Sequence, residues 1–354
     1  MANFSMPTGH VMHNVHNRSS AEDTVRGDIV RERVVRVQRG PIGDMATTDG
    51  VVVIANPADD SVSLLDPSTL TVVDTVLVDG EPQAVAVADG RAYVGIAAAG
   101  HDAVAVVDLD SRTVIKTYPL AFGVTALAVS PDGKRVYAGR CVRDRVDVAV
   151  IDVTAERVGT IDIGRGPAAN IDAMSVDPGG KRMYLAVTDT EGSRLIVVDT
   201  ETSRVSRVVP IGSPIRDLGY AAGALYALTS DRAVGGAIHV VDLATWKVTE
   251  ATTLGGAPTQ LVMSADQTRA YVVDYDRVAV VSTSSLEVSD SLTAEARPSC
   301  VTQSADGTRL YIADYSGGVS VLSVESSIEA LYPHFLATDP IAQTATRALQ
   351  PAGV

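Results

Sequence analysis

Three histidines, His10, His13 and His16, fall within seven residues of the stretch GHVMHNVHN. Imidazoles at that density suit zinc, nickel or copper if the backbone gathers them. Successive steps of three drift around a helix axis, so a helix would not bring all three to one face. The expectation is an adventitious divalent cation, with no resident cofactor. His101 sits beside Asp102, and His239 falls within a strand-like apolar run. Cys141 and Cys300 have no histidine near them in sequence to make them nucleophiles. G-x-S-x-G, C-x-x-C and a phosphate-binding loop are all absent. These residues favour a non-catalytic protein. An enzyme would instead need converging acids, His or Asn around a cation, or a positioned base.

The elements that must position such groups are repeats. SPDGKRVYAGR (130–140), DPGGKRMYLAV (177–187) and SADGTRLYIAD (304–314) are nearly one phrase. Aligned on the residue that is Tyr in most copies, the chain holds seven, at Val52, Tyr93, Tyr137, Tyr184, Tyr226, Tyr271 and Tyr311. Steps of roughly 40 to 50 residues with short strand-like runs indicate propeller blades. Each copy holds four runs. A small-residue apolar run and the Tyr run are joined by a tight turn such as Asp89-Gly90 or Asp132-Gly133, whose residues tolerate positive φ. A third run follows, ending in Asp in five copies (VSLLD, VAVVD, VAVID, LIVVD, IHVVD). The fourth alternates polar and apolar, as a half-exposed strand does. Prolines such as Pro41, Pro82, Pro258 and Pro298 mark the corners between copies.

Six fourth-strand runs serve seven copies. RERVVRVQRGP (31–41) has the phase to supply the seventh, with residues near 33 to 38 as the outer strand of the last blade, closing the ring and removing its open edges. The stretch 326–336 competes for that place. The reading is an all-β, seven-bladed propeller of four-stranded antiparallel blades over 30–323, with an N-terminal extension (1–29) and a C-terminal tail (324–354).

An Asp-Gly turn, a Tyr among small apolar residues and a Val-rich run ending in Asp resemble the YVTN family of seven-bladed β-propellers over about 290 residues. The Ala/Val/Arg/Asp-rich composition looks actinobacterial. The resemblance implies a fold and a tendency toward binding and scaffolding. Some propellers resembling this one are lactonases or metal-dependent lyases, so the alternative is a lactonase-like hydrolase or lyase with its site at the channel mouth near Asp44, Asp172 and Arg216, with or without a divalent cation.

In such a ring the blade corners and the loops between second and third strands share one face. Polar residues soon after the corners, Asp44, Gln83, Asp172, Arg216, Asp217 and Gln260, are placed at the channel mouth on that face. The loops add Arg140, Arg143 and Arg145 among acids such as Asp59, Asp102, Asp144 and Asp231, with Tyr275 and Tyr315 as the best recognition candidates, since Tyr and Arg are enriched in binding hot spots. The expectation is a protein partner bound by this loop face.

A formal net charge of -14 repels phosphate backbones, so nucleic acid is not an expected partner. No apolar run is long enough to span a membrane and no signal peptide is evident, which predicts a cytoplasmic protein, monomeric by itself. A partner complex anchored at the cytoplasmic side of a membrane is compatible with the chain, although no residue argues for it.

Overall fold

The computed structural model describes residues 29–121 and 123–325. Residues 1–28 of the extension, with its three histidines, and the tail from residue 326 on, including the stretch 326–336, lie outside them.

Seven separate four-stranded antiparallel sheets follow one another around a central channel. The first six take their strands in chain order, within 45–77, 81–119, 124–165, 170–212, 215–255 and 258–292. The seventh combines Pro298–Gln303, Arg309–Asp314 and Gly318–Val324 with Ile29–Arg36. Ile29–Arg36 pairs with Gly318–Val324 from Ile29↔Val324 to Arg36↔Gly318, so the first and last described strands share one sheet and the ring closes. The closing strand begins four residues earlier than the alternation alone places it. It stops at Arg36 because the chain then turns, with Val37 and Gln38 donating to the Gly317 carbonyl.

Burial follows the sequence gradient. Second and third strands such as Val52–Asn56 and Ala103–Asp108 are buried almost throughout, while fourth strands such as Thr113–Pro119 bury only Tyr118. The apolar residues form seven clusters, each drawn mainly from two adjacent blades, one at every joint. Each blade is therefore half of two cores, and no blade can bury its faces alone. The repeated Tyr residues fill these joints: Tyr93, Tyr137, Tyr184, Tyr271 and Tyr311 are fully buried. Tyr93 also donates from its hydroxyl to the Gly133 carbonyl in the next blade's tight turn, at 3.1 Å.

The recurring Asp at the end of the third strand has a local cause. Asp66, Asp108, Asp152, Asp199 and Asp242 each accept backbone N–H bonds from the turn that follows. In the sixth blade Ser282 takes the same place, its Oγ accepting from Ser285 N–H at 3.4 Å.

Candidate functional site: the loop face and the channel mouth

The inner strands share a distortion that sorts the mouth residues. In blades two to seven the inner strand slips register by one residue near its start, skipping Gln83, Thr125, Asp172, Arg216, Thr259 and Ser299. Such a bulge re-aims a side chain and breaks the ladder locally. Gln83, Asp172 and Arg216 thus occupy equivalent places. The next residues, Ala84, Ala126, Ala173, Asp217, Gln260 and Cys300, resume pairing, and Asp44 holds that position in blade one, where its carbonyl accepts from Ala55. Counting from the corner prolines does not separate the two sets, because the corners differ in length.

The inner set holds blades together. Asp44 accepts from its neighbour Met45 N–H and, across the joint, from Val85 N–H, both at 2.9 Å. Asp217 repeats this with Leu218 and Leu261, both at 2.8 Å. Gln260 Oε1 accepts from Val301 N–H at 2.7 Å. Each polar side chain therefore caps the following blade's inner strand. Burial pushes the Asp44 carboxyl up to about 6 and the Asp217 carboxyl up to about 7, against the pull of those N–H donors. Both side chains remain partly open to the channel although protein surrounds them closely, and the charge on Asp44 raises Asp217 a little further.

In the bulge set Thr125 donates from Oγ1 to the Ile171 carbonyl of the next blade at 2.6 Å, and the charged and amide members are looser. Gln83 and Arg216 are exposed, with contacts of 3.4 Å to Glu81 and 3.5 Å to the Ser230 carbonyl. Asp172 accepts from Asn170 Nδ2 at 2.8 Å. Among the described residues no group of three or more His, Cys, Asp or Glu side chains is arranged to hold a metal ion.

The loop cations divide in the same way. Arg140 is bound to Asp147 at 2.7 Å, with both side chains only 12% exposed. Arg145 lies 3.8 Å from Asp147 and 3.6 Å from Asp162. The acids that pair with these cations are therefore on their own blade's strands rather than on the loop tips. Arg194 does meet a loop acid, Asp189, at 2.7 Å. Arg143 is exposed at the tip of its hairpin. The inward Asp147 was visible in the sequence as a charge inside an otherwise apolar third strand.

Tyr275 and Tyr315 are the exposed aromatic side chains among the described residues, at 59% and 47%. Between them in space is a residue that the sequence pattern did not single out. Arg297, on the corner leading into the last blade, packs its guanidinium 4.6 Å from the Tyr275 ring centre and 4.9 Å from that of Tyr315. Its Nε donates to the Tyr275 carbonyl at 3.1 Å, and its own carbonyl accepts from Tyr315 N–H at 3.0 Å. Arg297 is 22 residues from Tyr275 in sequence, so only the corner geometry brings them together.

Seven four-stranded blades, a closing N-terminal strand and a mouth lined by inner-strand residues define a seven-bladed β-propeller. No family model matches the chain. It is 50% identical over 310 residues to a seven-bladed β-propeller protein of Mycolicibacterium smegmatis, covering 87% of this chain and 84% of that one. It is 32% identical over 288 residues to the seven-bladed β-propeller protein Rv1057 of Mycobacterium tuberculosis, covering 70% and 73% respectively. The chain belongs to this family of bacterial seven-bladed β-propeller proteins. A solved structure of Kuenenia stuttgartiensis hydrazine synthase superposes with a TM-score of 0.70, 21% identity and coverage of 83% of this chain and 98% of that one, a likeness of fold.

Proposed function

We propose that this propeller is a non-catalytic scaffold, built from YVTN-type repeats and working in the cytoplasm, that binds a protein partner through its loop face. The observation that carries the reading is where the exposed aromatic residues stand. Among the described residues only Tyr275 and Tyr315 are exposed aromatics, and both lie on this face around one arginine. Val234 is exposed on the adjacent loop of blade five, and Val142 is exposed on the same face farther round the ring, in blade three. Tyr and Arg grouped with apolar residues form the composition of a binding hot spot. The channel mouth supports a structural role more than a chemical one, since Asp44, Asp217 and Gln260 spend their oxygens on inter-blade bonds.

The test is affinity purification from native lysate, including detergent-solubilised membranes, with the wild-type chain and a Tyr275→Ala/Tyr315→Ala variant. The expected result is one stoichiometric partner that the variant loses while keeping its fold. A measured turnover abolished by alanine at Asp44, Asp172 and Arg216 would overturn the reading in favour of a lactonase-like enzyme.

A further inference from the structure

We infer that Arg297, held against Tyr275 and Tyr315, is a receptor for a single carboxylate, supplied by an acidic residue of the protein partner. The inference rests on the scaffold reading and names the chemistry of its contact.

The first observation is an uncompensated charge in an acidic molecule. The chain carries 43 acids against 29 Lys and Arg. On the loop face Arg140, Arg145, Arg194 and Arg277 each have a carboxylate within 4 Å. Arg297 has none among the described residues, although acids surround it. Asp274 spends one oxygen on Ala257 N–H at 2.7 Å and the other on Arg277. Asp314 is fully buried, with Oδ1 taking the N–H groups of Ser316 and Gly318. Both oxygens of Asp274 and Oδ1 of Asp314 are thus committed to the two loops that carry the tyrosines, while Asp314 Oδ2 is buried without a hydrogen-bond partner.

The second observation is rigidity. An exposed arginine ordinarily loses much rotamer freedom on binding, which reduces the net gain. Here contacts with two rings and the Nε bond fix the guanidinium plane beforehand, and among the described residues the terminal nitrogens Nη1 and Nη2 have no acceptor. A planar fork with free donors matches the two oxygens of a carboxylate.

The third is backbone strain. Tyr275 sits at φ 42°, in the left-handed region that bulky side chains rarely adopt. An aromatic residue kept there, at a hairpin tip where glycine would be easier, points to a demand for its ring.

The carboxylate is favoured over phosphate by the surroundings. Asp276 and Glu295 stand exposed near the site in sequence, and the molecule's overall charge adds a repulsion that grows with ligand charge. A singly charged planar group bears less of it than a doubly charged phosphate.

The experiment follows the Arg297 Nε–Hε resonance in the 15N-labelled full-length protein, assigned by its disappearance in Arg297→Lys. The probe is a blocked Ala-Glu-Ala peptide, compared with its Gln and phosphoserine counterparts. Saturable movement with a Kd on the order of 1–10 mM is expected for the Glu peptide, as suits one charge-assisted contact. The Gln peptide should bind at least about fivefold more weakly. Arg297→Lys keeps the charge but loses the fork and the stacking. Followed by the backbone amides of the 275 and 315 loops, it should weaken Glu-peptide binding about tenfold while the rest of the spectrum stays unchanged. Equal shifts with Glu and Gln peptides, tighter binding of the phosphoserine peptide, or full affinity in Arg297→Lys would overturn the inference. If the peptide assay fails while the double tyrosine variant still loses its partner, the scaffold reading stands and only the carboxylate contact falls.

Discussion

The two faces of the ring are made by the same strands and obey different rules. On the tight-turn face the blades repeat one another down to individual bonds. Ser130, Ser264 and Ser304 each donate from Oγ to the Asp two residues on, and each accepts from the Arg five residues on, at 2.9 Å in all three blades. The grooves of that face repeat as well. One of about 740 Å³ between blades three and four is lined by Ser130, Asp132, Arg135, Tyr137 and Gly180. One of about 360 Å³ between blades seven and one is lined by the matching Ser304, Asp306, Arg309 and Tyr311. In both, the arginine reaches a carbonyl of the adjacent blade, Thr200 or Pro67. A concavity that recurs with its Ser, Asp and Arg bonds in place is a product of wedging flat sheets into a ring. The loop face is less uniform: Asp147 pairs with Arg140 and Arg145 inside its own blade, and Arg297 joins Tyr275 and Tyr315, matching positions of blades six and seven, across one joint. Repetition marks what the fold needs, and departure from it marks where recognition should be sought.

The strongest test sets one tyrosine from each face against the other. Tyr137 is buried at the joint of blades three and four. Tyr137→Ala should cost about 3–5 kcal/mol, as aromatic-to-alanine changes in cores do. Tyr275→Ala, at an exposed tip, should stay within about 1 kcal/mol. Urea midpoints with unchanged m-values measure both. Equal losses would erase the distinction between a structural and a recognition tyrosine.

The next test concerns the buried ion pair of the loop face. Asp147→Ala leaves Arg140 largely enclosed without its carboxylate, and about 3 kcal/mol of stability should be lost. Arg143→Ala, on the same hairpin but exposed, should change stability by less than about 0.5 kcal/mol. If Asp147→Ala proves neutral, Arg140 has another outlet and returns to the pool of cations available to a partner.

How much of this was legible in the sequence depends on which residues repeat. The Asp-Gly turns, the Tyr strands and the Asp-ended third strands recur, so their spacing indicates seven blades, while the closing strand rests on the phase of 31–41 and has 326–336 as a competitor. The site was legible only as types of residue on a face. Tyr275 and Tyr315 could be named because exposed loops displayed them, whereas Arg297 could not, since its partners are set by the corner between blades. Arg140 and Arg145 read as loop cations set among loop acids, because Asp147, although legible as a charge inside its strand, carries no sign of which cation it meets. The one-residue bulge shifts Asp217 and Gln260 into the ring of Asp44, and a bulge leaves no mark in an apolar pattern.

A smaller effect contrasts carboxylates at the channel with those at the turns. Asp66, Asp108, Asp199 and Asp242 are held below the usual range by hydrogen bonds from their own turns, so what they contribute is lost as pH falls. Asp44 and Asp217 are raised, and the sign reverses. Below about pH 4 they are protonated folded or unfolded. Between about 4 and 7 the folded chain keeps protons that the unfolded chain has released, so their contribution falls as pH rises and is flat above. With water still reaching the channel, the two together should account for about 1–3 kcal/mol between pH 5 and pH 8. The Asp44→Ala/Asp217→Ala variant loses the bonds to Val85 and Leu261, so it should be less stable than wild type at pH 5, with the gap narrowing at pH 8. A gap that widens with pH would mean that the N–H donors outweigh burial and that these carboxylates are ionised inter-blade caps at every pH.

The smallest expected effect is the most direct check on the tight-turn face. Lys134 stands at the lip of the larger groove, exposed, with only a 3.7 Å contact to Asp132, itself well solvated. Surface pairs of this kind contribute well under 1 kcal/mol, so Lys134→Glu should shift stability by no more than about 0.5 kcal/mol. It also inverts the charge at the mouth of a groove large enough to hold a small molecule. If the groove is only the space left between wedge-shaped blades, the reversal should leave the partner's yield in affinity purification at the wild-type level, while Tyr275→Ala/Tyr315→Ala removes it. Loss of the partner with Lys134→Glu would move recognition to the repeated face, and repetition would then no longer separate scaffolding residues from binding ones.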